Sequence, residues 1–174
     1  GQIVEQYPTS EEAIKHAGLD YEVVKSPLFT KGSGIIETAK GIEIGSSELE
    51  VPNYFANIRT DNNAVLGVVG KDYHIVQNRE AFNFFDAIVG GGEGILYETA
   101  GALGNGERIF ITAKLPDYIR VGNGDDVTEK YIFLTTSHDG SGSITAAFTP
   151  IRIVCQNTLN ASLRSMTNVV RIKH

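Results

Sequence analysis

The sequence predicts an α+β domain built on a largely antiparallel sheet, flanked by two main helices. Three observations predict it. Short strand-like runs are joined by tight polar turns rather than by helices, two segments carry helical apolar spacing, and strands and helices are grouped instead of strictly alternating. A chain of 174 residues forms a single domain, read as an N-terminal extension over 1–50 and a core over 51–174.

Residues 1–8 show no pattern. Thr9-Ser10-Glu11-Glu12 reads as a cap followed by acids in the first turn, and Gly18 as a stop, so residues Glu11 to Ala17 form a short helix. Tyr21 to Lys25 is a short strand. Ser26 to Gly34, with Pro27, Gly32 and Gly34, reads as a loop, and Ile35 to Ile44 as two short edge strands around Gly41. Tyr54 to Arg59 and Ala64 to Val69 form a hairpin across Asp61-Asn62-Asn63. Tyr73 to Val76 continues as a short strand. Asn78 then caps a helix reaching Val89, with Phe82, Phe85, Ile88 and Val89 on one side and Gly90-Gly91-Gly92 as its end.

Two hairpins follow. Ile95 to Leu103 and Arg108 to Leu115 are joined through Gly104-Asn105-Gly106. Tyr131 to Ser137 and Ser143 to Phe148 are joined through residues His138 to Gly142, and Val121 to Asp126 is a polar turn between the pairs. Pro150 suits the first position of a helix with Thr149 as its cap, and Ile151, Val154, Cys155, Thr158, Leu159 and Ser162 recur at helical spacing, so a helix is predicted over Pro150 to Leu163. Residues Asn168 to Lys173 switch to a strand pattern. The expected core is Phe82, Phe85, Ile88, Ile109, Ile111, Ile132, Leu134, Ile151, Val154, Cys155 and Leu159.

Charge is distributed unevenly. Arg152, Arg164, Arg171 and Lys173 fall in the last 25 residues, which hold no acid, so a net −6 for the chain is +4 there and −10 elsewhere. Such an end is either an anion-binding surface or an ordinary solvated face. The acidic body argues against bulk duplex binding, which needs many phosphate contacts. One cysteine, Cys155, excludes an internal disulfide and a paired-cysteine zinc site, and fits a reducing, cytoplasmic setting. No long apolar run is present, so no membrane span is expected.

Several chemical motifs dissolve on inspection. Gly90-Gly91-Gly92-Glu93-Gly94 closes a helix and opens a strand, the reverse of a phosphate loop. Ser137-His138-Asp139 has the residue types of a hydrolase triad, but triad members converge from distant positions, and Asp-Gly at a hairpin centre is turn chemistry. His16, His74, His138 and His174 form no ligand-spaced pair, and no metal or cofactor is expected. Cys155 reads as a small core hydrophobe. Arg59-Thr60-Asp61 reads as a turn-stabilising ion pair.

The blocks IRTDNNAVLGVVGKDYHIVQNREAF, ETAGALGNGERIFITAKLP, SHDGSGS, IRIVCQNTL and the final RIKH occur in this order, preceded by TSEEAIKHAGLDYEVVKSPLF. Together they resemble the phage/plasmid-like proteins called domain of unknown function 932, and RxVCxNT is the most specific block. The resemblance covers nearly the whole chain. It implies a prophage or plasmid context and a helical part beyond His174, and it transfers no catalytic residues. It raises Arg59, Asp61, Tyr73, Asn78, Arg152, Cys155, Asn157, Arg171 and His174 as motif positions.

The leading functional expectation is single-strand nucleic-acid binding or annealing through Arg152, Arg164, Arg171 and Lys173. Single-strand binders need cations for phosphates and often aromatics for stacking; the chain has no Trp and its basic end no aromatic. The alternative is a non-catalytic module that self-assembles into a homo-oligomer or binds a protein partner. A hydrolase or nuclease using Asp61, Asp139 and His138 or His174 ranks last, and the chain is read as leaning away from catalysis.

Overall fold

Strands are the main element of this molecule. The computed structural model describes residues 2–7, 10–38, 41–89, 96–116, 121–122 and 128–174. In chain order these give β1 (Gln2–Tyr7), α1 (Ser10–Ala17), β2 (Val23–Thr38), β3 (Gly41–Arg59), β4 (Val65–Gly70), α2 (Asn78–Val89), β5 (Leu96–Leu103), β6 (Arg108–Lys114), β7 (Val121–Gly122), β8 (Thr128–Glu129), β9 (Tyr131–Ser137), β10 (Ile144–Thr149), α3 (Gln156–Ser165) and β11 (Thr167–Ile172). The predicted α+β class and antiparallel pairing are both present. The main sheet runs β1-β5-β6-β9-β10-β11, the smaller one β2-β3-β4, and β7 pairs with β8.

The main sheet is apolar on both faces, because both are covered. Ile109, Ile111, Ile132, Leu134 and Ala146 pack on one side with Phe82 and Phe85 of α2 and Ile14 of α1. Phe110, Phe133 and Ala147 point the other way, onto Leu159 and Leu163 of α3 and Ile153 ahead of it. This explains the near-continuous apolar runs of β6 and β9.

The structure corrects several sequence-based expectations. β1 forms where no pattern was visible, pairing with β5. The expected loop Ser26 to Gly34 is strand, so β2 and β3 make one long hairpin from Val23↔Arg59 to Thr38↔Gly41. β4 joins β3 only between Tyr54 and Ile58, so beyond Phe29↔Glu50 the hairpin is a two-stranded ribbon among the described residues. Tyr73 to Val76 is not a strand. The Gly90 to Gly94 helix stop and most of the Val121 to Asp126 turn lie outside the described residues.

The third helix starts at Gln156, six residues later than Pro150. Thr149 Oγ1 does accept from Ile151 N at 3.1 Å, as a cap would, but no helix follows before Gln156, and Cys155 is itself extended. This stretch places Ile153 under the sheet, fully buried, while Leu159 and Leu163 reach the same cluster from the helix. Val154 and Cys155 are therefore exposed and Ile151 only half-buried, and Ile88 of α2 is also exposed, contrary to the expected core. The remaining expected core residues are buried.

Candidate functional site

Five of the motif positions converge where the two sheets meet. At their centre is His138, fully buried at the start of the β9–β10 turn. Its amide donates to Glu107 O at 2.6 Å, and its carbonyl accepts from Asn57 Nδ2 of β3 at 2.8 Å. Asn78 Nδ2 donates to Leu19 O at 2.9 Å, which leaves Asn78 Oδ1 as the acceptor facing His138 Nε2 at 2.7 Å. The network thus assigns a neutral imidazole protonated on Nε2, with Nδ1 buried and bare. Asn78 is the first residue of α2, yet its side chain ties α2 to the segment after α1 and to the main sheet instead of capping the helix.

Around this centre the polar groups are already engaged. Arg59 grips Asp61 through Nε–Oδ1 at 2.9 Å and Nη2–Oδ2 at 2.7 Å, donates Nη1 to Asn105 O at 2.8 Å, and stacks over the Tyr21 ring at 3.8 Å. That paired guanidinium holds the Asp61 carboxyl below the usual carboxylate range. Tyr21 OH donates to Gly106 O at 3.0 Å, and its ring meets His138 edge-on. Tyr73 donates to Ser137 O at 3.2 Å and stacks on His174, whose Nε2 lies 3.0 Å from Thr136 Oγ1. Burial pushes the Tyr73 phenol up to about 12, with Asp139 adding to it.

Burial is also the main reason the His138 imidazole drops to about 4, and the nearby His174 lowers it further. The Ser137-His138-Asp139 triplet is a turn, as its sequence predicted. Ser137 Oγ donates to Ser141 O, and Asp139 Oδ1 accepts from Ser141 N at 2.8 Å, so neither addresses the imidazole. Among the described residues no group of three or more His, Cys, Asp and Glu could hold a metal ion.

A second region carries the predicted cations, and the sheet separates them. Arg152 Nε lies 3.2 Å from Glu98 Oε1 on β5. Arg171 sits opposite Thr145 on β11, four strands from β5 in the sheet order. At ordinary strand spacing that is about 19 Å. Arg152 is thus an anchor for the chain before α3 and does not share a groove with Arg171. Arg164, at the end of α3, and Arg171 and Lys173 are exposed, with no ion pair among the described residues.

Cys155 occupies the N-cap of α3. Thr158, three residues on, accepts from Cys155 N at 3.0 Å and donates to Cys155 O at 2.9 Å, the role Glu or Gln plays in a capping box. The sulfur is left facing the helix amides. Hydrogen bonds from the Thr158 amide, the Thr158 hydroxyl and the Asn157 amide pull the thiol below its ordinary value. We expect Ellman's reagent to titrate Cys155 in the native protein, with a rate midpoint below that of free cysteine, and Thr158→Val to raise that midpoint. A native protein inert to the reagent would contradict its exposure.

Residues 65–174 match the family model described as a domain of unknown function (DUF932). The chain belongs to this family. No curated protein and no solved structure matches it significantly. The DUF932 match spans β4, α2, the main sheet from β5 onward, α3 and β11, and it starts after the β2–β3 hairpin. Within it lie Tyr73, Asn78, His138 and His174 of the buried latch; Arg59 and Asp61 precede it. Tyr21 and Asn57 were not visible in the sequence and His138 stood out there only as a turn or triad residue, since their partners lie 60 to 85 residues away.

Proposed function

We propose that this DUF932 domain is a non-catalytic module of a mobile element that self-assembles or binds a protein partner, in a reducing cytoplasm where its exposed thiol persists. The observation that supports this reading is a pair of unpaired strand edges. β11 ends the main sheet, and β3 has no outer neighbour before Asn53, whose carbonyl accepts from Lys71 N, among the described residues. Unprotected edges template pairing with another chain. The outer face of the small sheet adds apolar surface: Val24, Ile58 and Val65 lie side by side across three strands, and Val24, Tyr54, Val65 and Val68 are exposed. The titratable residues that do converge are locked in a structural latch between the sheets, which suits a scaffold. Sedimentation velocity at increasing concentration should show species heavier than the monomer; a single monomeric boundary up to high micromolar concentration would count against self-assembly.

A second reading, single-strand nucleic-acid binding, is favoured by Arg164, Arg171 and Lys173, which stand exposed. Three phosphate contacts imply a log–log salt slope of about −2. Fluorescence anisotropy of a labelled oligonucleotide at two salt concentrations measures it. Because Arg152 is held by Glu98, Arg152→Ala should leave that slope unchanged, whereas Arg171→Ala should reduce it by about 0.7.

A further inference from the structure

We infer that the outer edge of β3 at Glu48–Val51 pairs with β11 of a second copy of this chain. The inference rests on the assembly reading above and names its surface and its occupant. Residues 48–51 read Glu-Leu-Glu-Val, and residues 170–173 read Val-Arg-Ile-Lys. Both stretches alternate charged and apolar side chains, with opposite sign.

Both stretches are also open to solvent. Glu48 and Glu50 are exposed, and Leu49 is 51% exposed. Val170 is 48% and Ile172 39% exposed, and Arg171 and Lys173 are exposed. Among the described residues β3 is occupied on one side here, with Glu48 opposite Lys31, Leu49 opposite Thr30 and Glu50 opposite Phe29. Among those residues β11 is likewise occupied on one side, by β10. A two-stranded ribbon is marginal in water, and a third strand is what it lacks.

Set antiparallel, the two edges match at four successive positions. Glu48 faces Lys173, Leu49 faces Ile172, Glu50 faces Arg171 and Val51 faces Val170. Directly opposed residues share a face of a sheet, so both ion pairs fall on one side and the Leu49–Ile172 pair on the other, with Val51 at the start of the irregular stretch of β3 beyond Glu50. A slip of one residue would set every charge against an apolar side chain, which specifies the register. Because the two edges belong to different parts of the chain, the contact is head-to-tail. It propagates, or closes into a ring or a reciprocal pair.

The test uses charge reversal at exposed positions, with circular dichroism confirming that each variant folds. In light scattering the wild type should run at two or more times the monomer mass. E48K/E50K and R171E/K173E should each lose assembly, since each sets like charges against each other. Mixed one to one, they should assemble again, because the intact acidic edge of one meets the intact basic edge of the other and the two reversed edges are complementary as well. The quadruple variant should assemble again. A wild type that assembles while neither variant changes it would overturn this pairing and leave the assembly reading standing on another surface. A wild type and a mixture that both remain monomeric would overturn both, and oligonucleotide binding lost in R171E/K173E would then establish the nucleic-acid reading.

Discussion

Lowering the pH from 7 to 4 should strip about 3 kcal/mol from the stability of this domain, and His138→Gln should abolish most of that dependence. An unfolded histidine titrates near 6.5, whereas in the fold the imidazole titrates at about 4. Between those values the unfolded chain holds a proton that the folded chain does not. Stability therefore rises with pH across this window and is lost as the pH falls through it. The loss is large against the roughly 5–15 kcal/mol total of a typical domain.

The cause is structural. His138 Nε2 already donates to Asn78, Nδ1 is buried without an acceptor, and a proton there would place an uncompensated charge between two sheets. Burial lowers His174 as well, so it acts in the same direction. Asp61 and Asp139, both held below the usual carboxylate range, lose their contributions only at more acidic pH, and Asp86, raised by burial, acts oppositely. Glutamine keeps a donor toward Asn78 and cannot take the charge. Urea denaturation at pH 7, 5.5 and 4 measures the effect. An unchanged pH slope in His138→Gln would assign the acid sensitivity elsewhere.

Gly67→Val should cost about 3 kcal/mol, at the upper end of what overpacking does, and Gly70→Val almost nothing. A Cβ on Gly67 would lie 2.4 Å from the Cα of Asp139 and 2.8 Å from its carbonyl carbon. These are backbone atoms, fixed by the Asn57 and Glu107 bonds to His138, so nothing flexible yields. A Cβ on Gly70, in the same strand, meets nothing within 4 Å. Valine favours strands in general, so intrinsic propensity predicts a gain at both sites, and only the inter-sheet contact predicts the difference. Urea midpoints of the two variants compare them directly, and equal midpoints would mean that the small sheet does not press on the β9–β10 turn.

The sequence by itself determined the local order of this protein. Apolar runs bounded by turn residues placed β6, β9 and β10 to within a residue of their observed limits, and helical spacing placed α2 and its buried Phe82 and Phe85. The Arg59–Asp61 pair was legible because its partners are two residues apart. The tertiary structure decided what depends on distant partners. Helical spacing runs from Ile151 to Ser162, but Pro150 to Cys155 stays outside the helix because the sheet takes Ile153 from that stretch, and this turns Cys155 outward to the helix amides. Arg152 could not be told from Arg171 by charge count; the sheet order holds one at β5 beside Glu98 and leaves the other at an open edge. His138 looked like a turn residue, and its backbone is one. Its burial follows from Asn57, Asn78 and Glu107 closing on it from three elements, and a pattern of neighbouring residues carries no record of contacts made across that separation.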